Sequence, residues 1–181
     1  PLLDKNKNIF GYQGRAFGES KVRYITIMLD ERQPRIFNLD TVDFSQRTYI
    51  VEGPIDAMFI ENTIASAGGD IVSVLQSCEG VVKDNIVVVY DNEPRNKDTI
   101  KKMKKAIDAG YAVCIWPDHF EGKDINQMVL DRISVRKEYV NTELVNRKVL
   151  LVKDIVDSNI YRGAEALLRL NEWKRVNIDE S

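Results

Sequence analysis

Ile86-Val87-Val88-Val89-Tyr90 is a run of five apolar residues with no polar position to turn toward water on either side. A half-exposed strand alternates in character, so a run like this needs cover on both faces and belongs in a parallel sheet between layers of helix. The neighbouring sequence supports that reading. Tyr49-Ile50-Val51 and Ala112 to Trp116 are further short apolar strands, and Thr99 to Ile107 reads as a helix ending at Gly110. Ile125 to Leu130 begins another helix. Glu52-Gly53-Pro54 leads into an apolar-periodic helix through Ala57, Met58 and Ile60, with Pro54 in its first turn, where a missing N–H costs nothing. Gly68-Gly69 closes that unit, and Ile71 to Leu75 reads as one more strand. Strand–helix alternation with short connections predicts an α/β fold, a parallel sheet with helices on both faces.

The flanks differ from this centre. Ile9 to Gln13 and Val22 to Met28 read as β-strands with turns at Gly14, Gly18 and Pro34. From Ser134 the pattern is mostly helical: Ile160, Ala164, Leu167 and Leu168 share the spacing of one apolar helix face. Periodicity does not assign the apolar run Val149 to Val152. Three parts follow: a small β-rich basic module (1–48), an α/β domain (49–132) and a helical C-terminal segment (133–181). Charge follows the same division. The centre holds 9 Lys+Arg against 14 Asp+Glu, while the ends hold 8 against 6 and 9 against 8. That suits an acidic, metal-binding core with arms that touch a polyanion.

No stretch of the 181 residues is long and apolar enough to span a bilayer as a helix, which excludes that class of membrane protein. The only histidine is His119, which reads as a loop residue, and Cys78 and Cys114 are far apart, so no zinc ribbon can be built. The cysteines read as reduced thiols with a packing role. Trp116 and Trp173 read as core or interface, and Lys101, Lys102, Lys104 and Lys105 as a solvated helix face. The chain starts at Pro1 and is expected to be a fragment or a processed product.

In an open parallel sheet, ligands bind beyond the carboxyl ends of the strands. Glu52 directly follows the strand Tyr49–Val51, and Asp56 stands four residues on. Asp91 and Glu93 directly follow Ile86–Tyr90, and Asp124 lies in the loop after Ala112–Trp116. Carboxylates gathered at one sheet edge repel one another, and a hard divalent cation relieves that repulsion. Oxygen donors without His or Cys select Mg²⁺ or Mn²⁺.

These residues also carry a family resemblance. Tyr49-Ile50-Val51-Glu52-Gly53-Pro54-Ile55-Asp56-Ala57, Val89-Tyr90-Asp91-Asn92-Glu93 and Gly122-Lys123-Asp124-Ile125-Asn126 together resemble a Toprim domain. Such domains occur in bacterial-type primases, topoisomerases, recombination mediators and some nucleases. Gly14-Arg15-Ala16 followed by Lys21-Val22-Arg23-Tyr24 resembles the basic module that precedes Toprim in primases. Asp91-Asn92-Glu93-Pro94-Arg95, Phe59-Ile60-Glu61-Asn62 and the tail from Asn159 to Leu170 are most similar to the DNA primases of T-even-like phages. Glu93 departs from the family, which mostly has Asp there, and so lengthens one ligand arm by a methylene.

The resemblance implies the catalytic core of a primase, a nucleotidyltransferase making short RNA primers in the host cytoplasm. Glu52, Asp91 and Glu93 would be catalytic. Together with Asp56 and Asp124 they would hold Mg²⁺ or Mn²⁺, with Glu52 either a metal ligand or a general base. Arg15, Lys21 and Arg23 would bind template or nucleotide phosphates. Single-stranded DNA, ribonucleoside triphosphates and a replicative helicase are the implied partners. A Toprim nuclease and a non-catalytic Toprim binding module are the alternatives.

Overall fold

The computed structural model describes residues 1–16, 18, 21, 22, 24–130 and 142–174. The N-terminal strands form a small antiparallel sheet in the order β1 (Leu2–Leu3), β2 (Ile9–Arg15), β3 (Tyr24–Met28). A Cβ on Gly11 would stand 2.9 Å from the Ile27 carbonyl oxygen and 3.2 Å from Leu2, so this position needs glycine for the strands to approach. The Thr26 hydroxyl donates to the carbonyl of Ala67 at 2.8 Å, which pins the small sheet to the rest of the molecule.

The large sheet has the order β4 (Ile36–Phe37), β6 (Thr63–Ser66), β5 (Thr48–Val51), β7 (Ile86–Val88), β8 (Ala112–Cys114), β9 (Ile160–Tyr161). Its four inner strands are parallel and both edge strands antiparallel. Period-two alternation assigns the inner side chains to two cores. Ile50, Ile64, Ile86, Val88 and Val113 share one core with α1 (Ile71–Gln76), α2 (Lys97–Asp108) and α5 (Gly163–Trp173). Tyr49, Val51, Val87, Val89, Ala112 and Cys114 share the other with α3 (Ile125–Leu130) and α4 (Thr142–Ser158). The α/β sheet with helices on both faces is therefore the observed fold.

Several local expectations are corrected. Ile71 to Leu75 is helix rather than strand. The Asp70 carboxylate accepts the Ser73 N–H at 2.9 Å and caps the helix, and Ile71, Val72, Val74 and Leu75 are all buried. Capping and packing together outweigh the strand preference of the branched side chains. The strand adjoining β5 is instead Thr63–Ser66, whose polar ends hide it from an apolarity search; all four residues are buried. The helix expected after Pro54 is one 3₁₀ turn, Asp56–Met58, with Met58 exposed. It ends before Asn62, whose backbone is left-handed (φ 50°) and whose side-chain amide donates to the carbonyls of Asp43 and Arg47.

The large sheet reaches outside residues 49–132 at both ends. Ile36, fully buried, pairs with Ser66, and Ile160 pairs with Cys114 as an edge strand instead of joining a helix face. The packed face of α5 is Ala166, Leu170 and Trp173, while Ala164 and Leu168 are exposed. Val149 to Val152 lies within α4. Cys78 and Cys114 are buried, unbridged thiols, as expected of packing residues. His119 is exposed in a turn. No helix among the described residues is long and apolar enough to cross a membrane.

Candidate active site

The chain leaves β5 toward β6 on one side, and β7 then adds on the other side of β5. That reversal opens a crevice at the carboxyl ends of β5 and β7, the position at which sheets of this kind bind ligands. A cleft of about 870 Å³ lies there, lined by Glu52, Asp56, Asp91, Glu93 and Asp124. All five acids singled out from the sequence thus face one cavity. The small sheet contributes Gln13, Arg15, Tyr24 and Thr26 to its lining. The Arg15 guanidinium lies 5.5 Å from the centre of the Tyr24 ring, a cation–π distance. Lys21 is exposed and does not line the cleft. Arg23 lies outside the described residues.

Asp56 and Asp124 are each held by a backbone N–H. A Cβ on Gly53 would stand 2.5 Å from an Asp56 carboxylate oxygen, so the Glu-Gly pair leaves room for Asp56 to fold back. The other Asp56 oxygen accepts the Asn126 N–H at 2.8 Å. Asp124 accepts the Gln127 N–H at 2.7 Å in the first turn of α3. Asn92, between the two acids of the Asp-x-Glu motif, donates its amide to the carbonyls of Phe120 (2.9 Å) and Gly122 (3.1 Å), and its backbone N–H to that of Lys123 (2.6 Å). It ties the loop after β8 to the loop after β7. Trp116 donates to the Tyr90 carbonyl at 2.8 Å and stacks on Phe120, so it supports the site from within the core.

The electrostatics are those of crowded carboxylates. Burial, then the charge of Glu52, pushes Asp91 up to about 7; Lys123 opposes the shift, and Asp124 and Asp56 add to it. Burial likewise raises Asp56, against the Asn126 N–H that steadies its charged form. Among the described residues no three acidic, histidine or cysteine side chains converge as a ready-made ion cage. Two ammonium groups stand at the acids instead. Lys102 Nζ lies 2.6 Å from Glu52, and Lys123 Nζ lies 3.2 Å from Glu93 and 3.7 Å from Asp91. The donor chemistry, all carboxylate oxygen, suits a hard divalent cation.

Sequence reasoning did not single out Lys102, Lys123 or Asn92 for this site. Lys102 stood among four lysines on one helix; only the one-turn spacing from Thr99, a cleft residue, separates it from the others. Lys104 and Lys105 pair with Asp108 (2.7 Å) and Asp70 (2.6 Å).

A sheet with acids at the carboxyl ends of its parallel strands, beside a small antiparallel sheet, is a fold that this chain shares with solved structures. The solved structures similar to it include a DNA primase domain from Pseudomonas aeruginosa, with TM-score 0.60 at 15% identity, covering 88% of this chain and 50% of that one. The DnaG primase catalytic domain bound to single-stranded DNA gives TM-score 0.53 at 17% identity, covering 87% and 55%. In sequence the chain is similar to the DNA primase of Enterobacteria phage T4, 34% identical over 179 residues, which is 97% of this chain. It spans about half the length of that relative, 47%. No protein-family model matches the chain.

Proposed function

We propose that this chain is the catalytic core of a DNA primase, joining ribonucleotides on a single-stranded DNA template. One observation carries the proposal: acids from three strand ends line one cleft together with an arginine. Kinship to the phage T4 primase over nearly the whole chain supports it, as does likeness in fold to a catalytic domain described with single-stranded DNA.

Glu52, Asp91 and Glu93 would hold Mg²⁺ or Mn²⁺, with Asp56 and Asp124 completing or orienting the set. A bound cation would supply the positive charge that nucleotidyl transfer needs at the reacting phosphate. The protein's own contribution is positional. Asp56, braced by the Asn126 N–H, and Asn92, which ties two loops together, hold the acids in one crevice. Glu52 serves as metal ligand or as acceptor of the primer 3′-hydroxyl proton. Arg15, with Lys21 and Arg23 on the same basic module (residues 1–48), holds template or nucleotide phosphates. The parallel-sheet domain (49–132) carries the chemistry, and α4 and α5 of the C-terminal segment (133–181) buttress it. A replicative helicase is the partner proposed for the whole protein.

The test is primer synthesis from ribonucleoside triphosphates on single-stranded DNA with Mg²⁺. Wild type should give short RNA, and Glu52→Gln should lose most of it while still binding template. Strand cleavage without synthesis would make the chain a nuclease. Binding without either reaction would make it a non-catalytic module.

A further inference from the structure

The acids of the cleft are not bare. Lys102 comes from α2, and its Nζ lies 2.6 Å from Glu52 Oε1. Lys123 comes from the loop after β8, with its Nζ 3.2 Å from Glu93 Oε1 and 3.7 Å from Asp91 Oδ2. The two lysines belong to different elements, yet each ends on an acid proposed to hold a cation. Both also line the cleft that Arg15 faces. Their side chains are 44% and 49% exposed, so the ammonium groups have room to swing away.

Resting on the primase reading, we infer that Lys102 and Lys123 are exchangeable counter-ions. They neutralise the carboxylates when no divalent cation is bound. A cation displaces them, and the freed ammonium groups then take up the phosphates of the nucleoside triphosphate. The physical reason is that crowded carboxylates need positive charge in every state of the site. An ammonium on a flexible stem supplies it reversibly, and exposed pairs of this kind are weak enough to break. No bond is made or broken. Metal and polyphosphate become coupled because each favours the state in which lysine and carboxylate are apart, and such coupling is reciprocal.

The experiment uses the whole chain and measures binding by calorimetry, with Mn²⁺ alone and with inorganic tripolyphosphate alone. Lys102→Met and Lys123→Met should each bind Mn²⁺ about three- to tenfold more tightly than wild type, since the cation no longer competes with an ammonium. Tightening is the informative direction, because simple damage to the site weakens binding. Lys123→Met, on an exposed loop, serves as the second variant should Lys102→Met melt early. Tripolyphosphate without metal reads the other half. Glu52→Gln should bind it several-fold more tightly than wild type, and Glu52→Gln/Lys102→Met should lose that gain, a cycle that isolates the lysine.

Unchanged or weaker Mn²⁺ binding in both lysine variants, with wild type binding and Asp91→Asn not binding, would overturn the counter-ion role and leave the metal-site reading standing. No Mn²⁺ binding by any variant would remove both. A tripolyphosphate gain that persists without Lys102 would overturn the hand-over to phosphate.

Discussion

Replacing Asp91 by Asn should stabilise the metal-free protein, and the gain should depend on pH in a way only this carboxyl explains. Burial and the Glu52 charge push Asp91 up to about 7, against an ordinary value of 3.8. Between those two values the folded state keeps a proton that the unfolded chain has released, so wild-type stability falls as pH rises. The slope is about 1.4 kcal/mol per pH unit and the upper bound about 4 kcal/mol. Asparagine carries no such cost, although it gives up the attraction of Lys123, 3.7 Å away. With that loss and local relaxation the expected gain is about 2 kcal/mol near pH 8, or roughly 4–8 °C in melting temperature for a chain of this size. The assay is denaturant or thermal unfolding of both proteins in chelator, from about pH 4 to about pH 8, read as a difference curve. The difference should be near zero at the acid end, where both side chains are neutral, and should grow through the window. A flat difference, or a variant less stable than wild type at pH 8, would refute the account of Asp91 as a buried carboxyl whose charged form is disfavoured by its neighbours. Adding Mg²⁺ should stabilise wild type and leave Asp91→Asn unmoved.

Other expectations test separate parts of the structure. Asp70→Ala removes the cap of α1 together with the Lys105 pair and should cost about 1 kcal/mol in chemical denaturation; no loss would remove the cap from the explanation of why this branched segment is helical. Ile50→Ala, at the centre of the parallel sheet and fully buried, should cost about 2–5 kcal/mol, and a much smaller value would mean the core there is loosely packed. Arg15→Ala should weaken binding to single-stranded templates about equally whatever their sequence and reduce the salt slope by roughly one phosphate contact, whereas a selective loss on one template would show that Arg15 reads bases.

The central strands and the acids at their ends were legible in the chain because both depend on local chemistry. An unbroken branched run such as Ile86–Val89 has no stable place except between two layers, and a carboxylate directly after such a strand must lie at the sheet's edge. Arg15 was singled out only through the resemblance of its segment to a known module, since nothing in its local chemistry places it at the cleft. What the sequence could not determine depends on long-range partners. Thr63–Ser66 becomes a strand only because β5 and β4 flank it, and Ile71–Gln76 becomes a helix only because Asp70 caps it and the sheet receives its apolar face. Ile160 belongs to a sheet edge because Cys114 lies beside it, not because of any spacing. Lys102 and Lys123 are 21 residues apart in the chain. Only the fold decides that their ammonium groups meet the same cluster of acids, because charge has no periodicity to read and finds its partner through space.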